Sequence, residues 1–146
     1  MKKLLFFVLF VILILSCDNS SKGGTAASQQ YDKIMVSRVE TFNLSLPKQN
    51  GALETEDCIY DGKTVVLKLR IVMDDEEFTS PDILKWLPSM MLNDIHLLDT
   101  VMIKRLVELN QPLTYEVYDK NGKVQLTRFQ LTPKKLKARA NYMKMF

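Results

Sequence analysis

The chain has 146 residues, 25% of them charged and 47% hydrophobic, with a formal net charge of +3. These are the proportions of an ordinary globular domain with one core, and so small a net charge singles out no partner by bulk electrostatics. A single histidine excludes any site built on several histidine ligands.

Lys2 and Lys3 precede an unbroken apolar run over residues 4–15, which ends at the small residue Ser16. Spanning a bilayer takes roughly 20 apolar residues, so this run has the length of a signal-peptide core instead. Its last residues, Ile14-Leu15-Ser16-Cys17, resemble the lipobox of bacterial lipoproteins, in which an aliphatic, a variable and a small residue precede a modified cysteine. The resemblance implies that residues 1–16 are a signal peptide and that Cys17 carries a diacylglycerol thioether. It also implies an N-acyl chain, such as palmitate, on the new amino terminus. The protein would then be held in a cell membrane or outer membrane, facing the envelope or exterior. Two or more acyl chains, at about 0.8 kcal/mol per buried methylene, make a stable anchor.

Residues 17–30 read as the lipidated cysteine and a tether rich in Ser, Gly, Ala, Gln and Asn, and residues 31–146 as a single α+β domain. With Cys17 modified, Cys58 is the remaining thiol, so the domain must hold together without an internal disulfide.

Within the domain, Tyr31, Ile34, Met35, Val39 and Phe42 follow helical spacing, and the helix gives way at Asn43-Leu44-Ser45-Leu46-Pro47 to an extended exit. Residues 48–51 read as loop. A strand over about 55–60 and a clearly alternating one over 64–73 flank an Asp61-Gly62 turn. That register sets Cys58 opposite Val65 on the core face and puts Glu56 there too, unless the strand starts late or a bulge intervenes. Ser80-Pro81 opens a helix that Pro88 should cut short. A further helix begins near Asn93 or Asp94, carries the stripe Ile95, Leu98, Met102, Leu106 and Leu109, and stops at Asn110 ahead of Pro112.

A second hairpin turns at Asn121-Gly122, pairing Val117 with Leu126 and bringing Tyr115 near Arg128. Thr132-Pro133 caps a last helix. The predicted fold is α+β, a four-stranded antiparallel sheet from two hairpins with helices mainly on one face, in the order helix, hairpin, helices, hairpin, helix. The pattern from Asn43-Leu44-Ser45-Leu46-Pro47 through two turn-marked hairpins resembles small exported bacterial domains of unassigned function.

Candidates for chemistry are few. His96 flanks the core stripe without convergent partners. Cys58 reads as a buried structural thiol, its pKa raised by Glu56 and Asp57. Asp74-Asp75-Glu76-Glu77 lacks the spacing of a calcium loop and reads as a solvated connection. Trp86, Met90 and Met91 read as core. No phosphate-binding glycine loop, nucleophile elbow or paired-cysteine motif is present, so no enzyme, metal or cofactor is expected beyond the lipid on Cys17.

Charge is distributed unevenly: residues 18–119 hold 10 basic and 17 acidic side chains, whereas residues 120–146 hold 8 basic and no acidic ones. Lys134, Lys135, Lys137, Arg139 and Lys144 in this basic end are the candidate contacts for an envelope protein or an anionic lipid surface. Nucleic acid is not expected of an exported protein. The sequence thus points to a lipid-anchored, non-enzymatic binding or accessory module of the envelope. The alternative is an inhibitor or immunity-type protein acting against an envelope-targeting hydrolase or toxin.

Overall fold

The computed structural model describes residues 31–73 and 76–146. The leader, Cys17, the tether and Asp74-Asp75 lie outside the described residues, as do the side chains of Glu76 and Glu77. The elements run α1 (Lys33–Asn43), β1 (Lys48–Asn50), β2 (Leu53–Tyr60), β3 (Val65–Ile71), α2 (Pro81–Asn93), α3 (Thr100–Glu108), β4 (Leu113–Tyr118), β5 (Gln125–Leu131) and α4 (Pro133–Tyr142). Short 3-10 turns occupy Glu76–Thr79 and Asp94–Leu97. No helix among the described residues is long and apolar enough to cross a membrane.

The α+β class agrees with the sequence, but the sheet departs from the expected four antiparallel strands. It has five, in the order β1-β2-β3-β4-β5, and β3 runs parallel to β4 while the other neighbours are antiparallel. Parallel neighbours require a crossover of a dozen or more residues. The segment holding α2 and α3 is that crossover, and it returns the chain to the end of the sheet where β3 began. Burial of the consecutive residues Val65, Val66 and Leu67 marks β3 as a central strand.

The additional strand is Lys48–Asn50, a stretch that reads as loop because all three residues are polar and exposed. Gly51, at φ +60°, turns the chain so that Asn50 pairs with Leu53.

Both hairpins shift register; the first keeps Cys58 on the core face, whereas in the second the slip moves Arg128 to the opposite face beside Glu116 and brings Phe129 to Tyr115. Tyr60 pairs with Val65 and Cys58 with Leu67, because residues 61–64 form a longer connection held by Asp61 Oδ1, which accepts from the amides of Lys63 and Thr64. A bulge between Thr55 and Asp57 lifts Glu56 off the core face, which resolves the conflict in the sequence pattern. In the second hairpin a bulge at Val117/Tyr118 pairs Val117 with Thr127 and Tyr115 with Phe129. Asp119 Oδ1 there accepts from the amides of Lys123 and Val124.

The helices pack on the face formed by Leu53, Cys58, Leu67, Leu69, Tyr115 and Val117. In α1, Asp32 caps the first turn and Met35, Val39 and Phe42 are buried, whereas Tyr31 and Ile34 stay exposed. Leu44 to Pro47 turn sharply rather than extend, with Ser45 and Leu46 amides donating to the carbonyls of Phe42 and Asn43. Helix α2 runs straight through Pro88, contrary to expectation. Burial of Leu87 and Met91 on either side outweighs the missing hydrogen bond, each such side chain contributing about 1.5–3 kcal/mol against roughly 3 for the proline.

The long helix expected from Asn93 is instead divided, because Asp99 caps a fresh start, its Oδ1 accepting from Met102 N at 2.8 Å. Helix α4 docks through the fully buried Leu136 and Ala140. The opposite sheet face carries ion pairs: Arg70 with Glu54 and Glu56, Lys68 with Asp57, and Arg128 with Glu116.

Polar clasps tie α1 to the rest. The Asn43 side chain takes both backbone groups of Cys58, donating from Nδ2 to its carbonyl at 2.7 Å and accepting its amide at Oδ1 at 3.0 Å. Removing it leaves a buried strand residue with neither partner, so Asn43→Ala should cost about 1–3 kcal/mol, seen as a lower urea midpoint at unchanged slope.

Asp32 uses its second carboxylate oxygen to bind Arg105, whose Nε donates at 3.1 Å. That hydrogen bond is the main reason its pKa lies below the ordinary value. A depressed folded-state pKa means stabilisation present above the unfolded value of about 3.9 and lost as pH falls through the folded one. Asp32→Asn should therefore be less stable than the parent chain at pH 7, with the gap narrowing as the denaturation series is taken below about pH 4.

Candidate functional site

Most residues singled out by sequence do not converge. His96 is exposed in the second 3-10 turn, its ring Nδ1 donating to the Asn93 carbonyl at 3.1 Å. Cys58 is buried on the core face at 1% exposure. Burial, with a smaller contribution from the charge of Asp57, pushes its thiol up to about 12. Among the described residues no group of three His, Cys, Asp or Glu side chains is placed to hold a metal ion. The Trp86-Met90-Met91 cluster is split by the helix: Met91 is core, but Trp86 and Met90 face solvent.

The basic end is one surface. Lys134, Lys135 and Lys137 project from α4 and Lys144 follows it, all exposed. Arg139 is partly covered, with its guanidinium 5.1 Å above the Tyr142 ring.

The concavity best suited to a ligand lies elsewhere. A groove of about 380 Å³ opens between the sheet's core face and the 3-10 turn that follows α2. Leu53, Thr55, Leu67 and Leu69 of β2 and β3 form its floor, and Met91, Leu97 and Leu98 its far wall. Lys48, Gln49 and Asn50 of β1 line the near rim opposite Asp94. Asn50 Nδ2 donates to Asp94 Oδ2 at 3.3 Å across this rim, and the Lys48 ammonium sits 4.9 Å above the Phe42 ring at the groove's end.

Tyr115 closes the inner side, stacked on Phe129 at 5.2 Å. Burial, then the charge of Asp94, raises its phenol above the ordinary range, so it stays neutral and donor-capable. By helical spacing the exposed Trp86 and Met90 continue the same flank that leads to Asp94 and Leu97. The chemistry on offer is apolar burial with one phenol on the inner side and two amides, one ammonium and one carboxylate at the rim, the make-up of a binding cleft.

Sequence reasoning missed this groove because two of its walls were misread. β1 has no hydrophobic alternation, and the turn holding Leu97 was absorbed into a continuous helix. The available signal was Asp99-Thr100, a cap that leaves Leu97 and Leu98 outside the helix.

No known protein family and no curated protein matches the chain in sequence. Solved structures do share the fold. A protein of Pseudomonas aeruginosa described as a candidate secreted protein superposes with TM-score 0.56 at 14% identity, covering 78% of this chain and 99% of its own. The pilotin of the type 2 secretion system of Vibrio vulnificus superposes with TM-score 0.56 at 14% identity, covering 70% of this chain and 88% of its own. At this identity the likeness is one of fold.

Because thiolate formation at Cys58 is suppressed by burial, its reaction with a thiol reagent at pH 8 should be negligible in the folded protein and complete in denaturant. Rapid labelling of the native chain at Cys58 would show that β2 opens locally.

Proposed function

We propose that the protein is a lipid-anchored, non-enzymatic accessory protein of a bacterial cell envelope, which holds an apolar segment of another envelope protein in the groove beneath β1. The groove itself carries this reading. Its floor is largely aliphatic, its volume falls within the roughly 300–1,000 Å³ of ligand-holding clefts, and its charged lining residues, Lys48 and Asp94, are engaged at the rim by the Phe42 ring and by Asn50. Gln49 and Asn50 supply hydrogen-bonding groups at its edge and Tyr115 one on its inner side, which suits a peptide that brings its own amides.

Supporting context comes from both ends of the argument. Ile14-Leu15-Ser16-Cys17 gives the anchor, and the fold recurs in a pilotin of a secretion system. A tethered protein works at high local concentration, so a modest groove suffices to keep an envelope component at the membrane. The reading also moves the partner site away from the basic end, where sequence had located it.

The test is photo-crosslinking in cells from position 49 of the lipidated protein, with Leu97→Asp introduced at the exposed lip. One protein should be captured from position 49, and Leu97→Asp should lower its yield at least tenfold while leaving the thermal midpoint within about 2 °C, as for a surface change. Equal capture by the Leu97→Asp form would remove the groove from the function.

A further inference from the structure

We propose that the outward face of α4, with the residues that follow it, lies against anionic lipid headgroups and sets how the domain sits on its membrane. Lys134, Lys135, Lys137 and Lys144 are exposed and form no ion pair among the described residues, and no carboxylate side chain occurs from residue 120 to 146. The helix cannot leave the domain to do this, since Leu136 and Ala140 are buried, so the charges form a fixed patch rather than a loose tail.

Next to the lysines stand Tyr142, 78% exposed, and Phe146, 48% exposed. Long cationic stems and amphipathic rings together suit the headgroup layer. Cationic charge spread along an exposed helix, flanked by exposed rings, matches a planar anionic surface.

Tether geometry permits the contact. Residues 18–30 reach at most roughly 45 Å from Cys17, beyond the ~35 Å breadth of a domain of this size, so any face can turn to the membrane. Charge then selects the face. Each basic residue near an anionic surface strengthens attraction roughly fivefold, and the effect is screened by salt.

The inference rests on the lipid-anchored reading, and one experiment separates the two. The lipidated full chain carrying Lys137→Cys, labelled there with an environment-sensitive fluorophore while Cys58 stays buried, is mixed with phosphatidylcholine vesicles with and without phosphatidylglycerol. Flotation reports the anchor and emission reports the face. The expected result is flotation with both vesicles but a blue shift only with phosphatidylglycerol, abolished by high salt and by Lys134→Glu with Lys135→Glu.

Flotation with both and no lipid-dependent shift would overturn the proposal while the anchor stands. Flotation and shift only with phosphatidylglycerol would uphold the face and remove the anchor. A shift that appears only when an acidic protein is added would assign the surface to a protein and overturn the proposal. Lys134 and Lys135 are exposed, so the double variant keeps the core intact, and Lys134→Gln with Lys135→Gln, which should weaken the shift by about half as much, gives a second reading from a milder change.

Discussion

The parallel pairing of β3 with β4 at the centre of the sheet is the constraint on which the remaining architecture depends. Two strands that must run the same way cannot be joined by a tight turn. The chain therefore crosses the core face between them, and the crossover supplies α2, the second 3-10 turn and α3. Their apolar residues, Leu87, Met91, Ile95, Met102 and Leu106, cover the sheet and complete one core. Where the crossover breaks between α2 and α3, cover over β2 and β3 is incomplete, and the groove is the gap left there.

The separation of charge follows the same layering. Carboxylates of β2 and β4 meet Arg70, Lys68 and Arg128 on the uncovered sheet face, so the acidic groups of that face are locally neutralised. The cations of α4 form no such pair among the described residues. A nearly neutral molecule thus presents one basic side, which whole-chain charge does not reveal.

Elements with a strong local signal were legible in the sequence. Ser80-Pro81 and Thr132-Pro133 open helices as their capping chemistry requires, and both glycine-marked turns join the strands expected to pair. The conflict at Glu56 left a late strand start or a bulge as alternatives, and the bulge is what the chain adopts. What escaped was set by tertiary context. Lys48–Asn50 is a strand only because Leu53–Thr55 lies beside it, and Pro88 is tolerated only because Leu87 and Met91 are buried. Strand direction across a long connection leaves no local mark, so the parallel pair was not legible either. The groove inherits all of these blind spots, since its rim and far wall are the very parts that depend on neighbours.

The Asn43 clasp on Cys58 has a consequence for how the molecule behaves among its own kind. β1 pairs with β2 only as far as Thr55, which leaves the remainder of β2 as an open sheet margin. Unpaired strand margins recruit other chains into mixed sheets. By occupying the outward amide and carbonyl of Cys58, the carboxamide makes that margin unavailable as a template. One side chain at a helix end thereby closes that stretch of the sheet margin to pairing with another strand.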